Sequence, residues 1–116
     1  MIWWTYQQLR NRNPKSRLAA IEKLAAAGDR ESVQPLMFAL KDEKAEVRSA
    51  AAMALGKLGD REVVNGLVGL LRDADAGVRS SAARSLGKLG WQPADDAERM
   101  SLLVATGKMP QVSEFG

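Results

Sequence analysis

The 116-residue sequence predicts an all-α fold: a right-handed α-α superhelix (α-solenoid) of about three 31-residue helical hairpins plus a C-terminal helix. Three observations predict it. Residues 47–59, VRSAAAMALGKLG, and residues 78–90, VRSSAARSLGKLG, agree at ten of thirteen positions at an offset of 31. Within a copy, Val47, Ala51, Ala54, Leu55 and Leu58 recur at the spacing of one helical face. A glycine closes each copy in register, at Gly28, Gly59 and Gly90, where a left-handed residue ends a helix. One such hairpin cannot cover its apolar stripe on both sides, whereas a row of them can.

Taken in order, the predicted helices are 2–11, 13–27, 30–41, 44–58, 61–72 and 75–89. The first unit is the weakest copy, held in register by Arg17, Ala20 and Leu24 against Arg48, Ala51 and Leu55. Trp3, Trp4 and Tyr6 on its first helix are read as a cap on the end of the stack; an exposed anchor for a partner or a membrane interface is the alternative. Asn13 and Asp75 are N-caps, and Pro14 sits where a first helical turn accepts proline. Asp29 and Asp60 follow the terminal glycines and are expected to cap the next helices. After Gly90 the register breaks: Pro93, Asp95 and Asp96 open a last helix that Gly107 ends. The closing VSEFG looks like the approach to a further unit. The whole is expected to be one domain, 1–116, with units at about 1–28, 29–59 and 60–90 and a C-terminal segment 91–116, as a piece of a longer array.

Composition narrows the chemistry. With no Cys and no His, disulfides, thiolate zinc sites, Cys nucleophiles and imidazole catalysis are excluded. No phosphate loop, dinucleotide fingerprint or nucleophile elbow is present. Asp95, Asp96 and Glu98 form one acidic cluster, read as helix capping rather than a metal site. No catalytic residue, cofactor or metal is expected. No apolar run approaches the ~18 residues that cross a membrane, and the cytoplasm is the expected compartment. The net charge of +3 is unevenly placed: residues 1–28 carry five basic residues against Glu22 alone. That excess is small for nucleic-acid binding, which argues against such a partner.

The stretch VRSAAAMALGKLGDREVVNGLVGLLRDADAGVRSSAARSLGKLG resembles the short HEAT-like repeats named after phycobilisome lyases, whose pattern runs D-x-x-x-x-VR-x-x-A-x-x-AL-G. The resemblance covers about residues 13–91. It implies an Asp–Arg ladder between stacked units, formed here by Asp42, Arg48, Asp73 and Arg79. The first unit departs from the pattern, with Asn11 for the Asp and Ser16 for the Val. The resemblance also implies that second helices line a concave groove. Its rows are Ser49, Met53 and Lys57, then Ser80, Arg84 and Lys88, with Leu18, Glu22 and Ala26 in the first unit. The expected function is a non-catalytic scaffold that holds a protein or peptide, acidic or mixed in charge, on a monomer or on units joined through open ends. A phycobilin-lyase-like role in bilin handling is the alternative, and nucleic-acid binding ranks below it.

Overall fold

The computed structural model describes residues 2–59 and 61–107, with side chains from Trp4 onward. All regular structure among these residues is helical: α1 (Ile2–Gln8), α2 (Pro14–Ala27), α3 (Val33–Ala39), α4 (Ala45–Leu58), α5 (Val64–Leu70), α6 (Ala76–Lys88) and α7 (Asp96–Ala105). Helices pair in order into hairpins, α1 with α2, α3 with α4 and α5 with α6. The hairpins stack through their second helices, α2 on α4 and α4 on α6, and α7 packs on α6. The result is an elongated α-solenoid, 56 × 26 × 16 Å.

Local chemistry sets most boundaries. Asn13 Oδ1 accepts the Lys15 amide at 2.9 Å, and Pro14 begins α2 where an N–H would have no partner. Asp75 Oδ2 accepts the Val78 amide at 3.0 Å. Gly28 and Gly59 close α2 and α4 at φ 69° and 71°, and their amides reach back to Leu24 O and Leu55 O.

The first helices are shorter than their periodicity suggests. Each of α3 and α5 is entered through a 3₁₀ turn, Arg30–Ser32 and Arg61–Val63. Asp29 makes no side-chain capping bond, contrary to expectation, because the Ser32 amide instead bonds the Asp29 carbonyl at 3.0 Å within the turn. Asp60 lies outside the described residues. At the other end of α3, the amides of Leu40 and Lys41 bond three residues back, tightening the last turn.

One hydrophobic core runs the length of the stack. Leu24, Leu55 and Leu86, equivalent in the 31-residue register, are at most 1% exposed. Val63 is fully buried, and so is Ser32, its equivalent in the second unit, whose hydroxyl finds no hydrogen-bond partner. Such a group costs roughly 1–3 kcal/mol when desolvated. Ser32→Val, which copies the third unit, should therefore raise stability by about 1 kcal/mol in urea unfolding. A loss of stability would mean that the hydroxyl is better accommodated than the packing indicates.

The two stacking interfaces differ in tightness. Gly56 lets α6 come so close that a β-carbon added there would collide with the Ser85 side chain and reach 3.0 Å from its Cα. The Ser85 hydroxyl then donates to Ala52 O at 2.7 Å, tying α6 to α4. At the α2–α4 interface, Ala25 stands in the register position of Gly56, and a cavity of about 300 Å³ lies between the helices.

A ladder of arginines joins the units. In each unit the Arg Nη1 donates to two carbonyls of its own preceding loop: Arg17 to Asn11 O and Arg12 O, Arg48 to Asp42 O and Glu43 O, Arg79 to Asp73 O and Ala74 O. The carboxylate comes from the following unit, 25 residues on. Arg17 Nε lies 2.8 Å from Asp42 Oδ2 and its Nη2 donates to Asp42 Oδ1 at 3.1 Å. Arg48 donates from Nε and Nη2 to the two oxygens of Asp73, at 2.9 and 3.0 Å, a bidentate fork. Asn11, Asp42 and Asp73 each accept the amide two residues on, so Asn11 keeps the turn without the charge, and the first unit still joins the ladder through Arg17. Arg79 has no carboxylate partner among the described residues, since Val104 occupies the next register position. Burial pushes the Asp73 carboxyl up, but the Arg48 hydrogen bond, the Asp75 amide and the charges of Arg48 and Arg79 outweigh it and hold the group below the usual carboxylate range. The Arg48 guanidinium is raised in turn, chiefly by that same hydrogen bond.

Candidate functional site on the second helices

The second helices form a continuous layer, whereas no comparable contact joins α1 to α3 or α3 to α5. Side chains that do not enter the stacking seams of this layer are left free to meet another molecule. Glu22 on α2 and Met53 and Lys57 on α4 line the same 300 Å³ cavity, floored by Ile21, Ala50 and Ala54. Alanines on both helices leave this trough open. Glu22 and Lys57 are exposed and Met53 is half-buried, giving an apolar floor with a charge on each wall.

Along α6, Ser80, Arg84 and Lys88 are all exposed. Arg84 and Lys88 make no ion pair among the described residues, so with Lys57 they leave positive charge open to solvent. Ser49 departs from the expected row. It is half-buried, and its hydroxyl is paired with that of Ser81 across the α4–α6 seam, so its hydrogen-bonding capacity serves packing. Ser81 belongs to the next unit, so nothing in one unit's pattern signals this pairing. Leu18 is half-buried and packs against the core, whereas Ala26 is exposed beside Glu22.

The acidic residues at the start of α7 are engaged in capping. Asp95 Oδ1 accepts the Glu98 amide at 2.8 Å, and Glu98 Oε1 accepts the Ala94 amide at 2.7 Å, a reciprocal arrangement that satisfies two amides at the helix start. Asp96 is exposed and lies 3.8 Å from Arg99. At the other end, Tyr6 packs on the core and Trp4 is 57% exposed. The Trp3 side chain and the VSEFG segment lie outside the described residues. No helix among those described is long and apolar enough to cross a membrane.

Stacked helical hairpins joined by an arginine ladder define a helical-repeat protein. Residues 4–87 and 39–105 match the family model of HEAT repeats, and the chain belongs to that family. HEAT repeats generally mediate protein–protein interaction. A comparison with curated proteins finds no match.

Proposed function

We propose that the chain is a non-catalytic scaffold whose second-helix face holds a segment of a partner protein, acidic or mixed in charge. The observation that carries this reading is the coincidence, on one helical layer, of an apolar trough at Met53 with cations at Lys57, Arg84 and Lys88 that make no ion pair among the described residues. The closer packing of second helices than of first helices supports this layer as the inner, concave side. Met53 is an adaptable apolar contact, and the cations select carboxylates and steer their approach. Glu22, on the opposite wall from Lys57, favours a partner that also offers a cation or a hydrogen-bond donor there. The 31-residue period and the repeated VRS-x-AA-x-x-LGKLG block support the phycobilisome-lyase-like variety of the family.

The test is affinity capture on the immobilised chain, followed by titration of the captured partner. Arg84→Glu should weaken binding by about fivefold, and raising the salt should weaken the wild-type complex, because exposed charges are screened within about 10 Å at 0.1 M salt. Unchanged affinity after the charge reversal would remove the groove from consideration.

A further inference from the structure

A second opening lies on the other layer, between the first helices α1 and α3. It is a cavity of about 420 Å³ whose walls are mostly apolar and include Tyr6, Leu9, Pro35 and Phe38, with Arg10 and Lys41 at its rim. The volume falls within the roughly 300–1,000 Å³ of preformed ligand pockets.

The sequence register explains why the cleft is here and not at the next interface. Tyr6 and Leu9 correspond to Met37 and Leu40, and Pro35 and Phe38 correspond to Gly66 and Gly69. At Gly66 the neighbouring helix closes in: a β-carbon there would lie 3.2 Å from both Leu40 Cδ1 and Met37 Cε, whereas one at Gly69 would meet nothing within 4 Å. Pro35, at the position equivalent to Gly66, opposes that closure against α1, and Phe38 lines the opening beside it. Phe38 is left 76% exposed, a large apolar surface that no element among the described residues covers.

Two polar features give the cleft a preference. The Tyr6 hydroxyl is buried and has no hydrogen-bond partner, so the free protein leaves one donor unused beside an apolar cavity. Arg10 and Lys41 are exposed and make no ion pair among the described residues, and the neighbouring Asp42 is already taken by Arg17. With the lining carboxylate Asp42 engaged by Arg17, the two rim cations are left without an ion-pair partner among the described residues.

We propose that the α1–α3 cleft is a second peptide-binding site, which takes one bulky apolar side chain from an acidic segment of another protein. The apolar side chain fills the cavity against Phe38 and Leu9. Flanking carboxylates meet Arg10 and Lys41, and an acceptor oxygen of the segment accepts a hydrogen bond from the Tyr6 hydroxyl. The site lies on the opposite layer from Lys57, Arg84 and Lys88 and does not depend on the second-helix groove.

Fluorescence anisotropy of the whole chain with two labelled heptapeptides tests this, one with a central phenylalanine among glutamates and the other with alanine at the centre. The phenylalanine peptide should bind about tenfold more tightly, and Arg10→Glu combined with Lys41→Glu should weaken it by about tenfold. Tyr6→Phe should weaken it by about threefold while the melting temperature holds or rises, since the hydroxyl has no partner in the free protein. Equal affinity for the two peptides, or no binding of either, overturns the proposal. So does a loss confined to Arg84→Glu, which would put the peptide on the second helices.

Discussion

Asp73→Ala is expected to lower the unfolding free energy by about 2–4 kcal/mol, as removal of one partner of a largely buried pair does. Three interactions end on this carboxylate: two bonds from Arg48 and one from the Asp75 amide. The Arg48 and Asp73 side chains are only 18% and 10% exposed, so water replaces little of what is lost. Asp73→Asn keeps an acceptor for the Asp75 amide and should cost less. A pH dependence follows with a defined sign. Because the folded-state pKa of Asp73 lies below its ordinary 3.8, its contribution is fully present above that value. It is lost as the pH falls through 3.8 and then through the lower folded value. The stability difference between wild type and Asp73→Asn in urea should therefore be largest near neutrality and shrink in acid. A difference that stays constant down to pH 2 would show that the ladder does not depend on the ionised carboxylate.

The second large effect comes from two glycines at the same register position. Gly56→Ala should destabilise the fold by about 1–2 kcal/mol: overpacking costs roughly 1–3 kcal/mol, offset by about 1 kcal/mol of better helix propensity. The new methyl group would drive into Ser85, strain the Ser85–Ala52 bond and push α6 away from α4. Gly87→Ala should have the opposite sign, stabilising by about 0.5–1 kcal/mol, because a β-carbon there meets nothing within 4 Å. Urea unfolding of both variants, followed by circular dichroism, is the measurement. Shifts in the same direction would contradict the difference between the covered and uncovered faces.

The buried and exposed faces of the second helices, which the candidate site uses, were legible in the repeat. The helical face of Val47, Ala51, Ala54 and Leu55 is the buried face. The exposure of Lys57, Arg84 and Lys88 followed from pointing away from it. The pairing of Ser49 was not foreseen, because its partner, Ser81, lies 32 residues away in the next unit. The cleft beside Phe38 was not foreseen either. Its walls come from two units, and a periodic pattern describes one unit at a time.

Alone, the sequence determined that the protein is built of repeated helical hairpins, where the second helices begin and end, and which residues form the core. These properties depend on neighbours along the chain and on an apolar spacing that any stacked copy satisfies. Tertiary structure decided which Asp answers which Arg, why Gly56 is covered and Gly87 open, and where the stack parts to leave cavities. Those outcomes depend on how closely two helices from different units approach, a distance set by the largest side chain at each crossing.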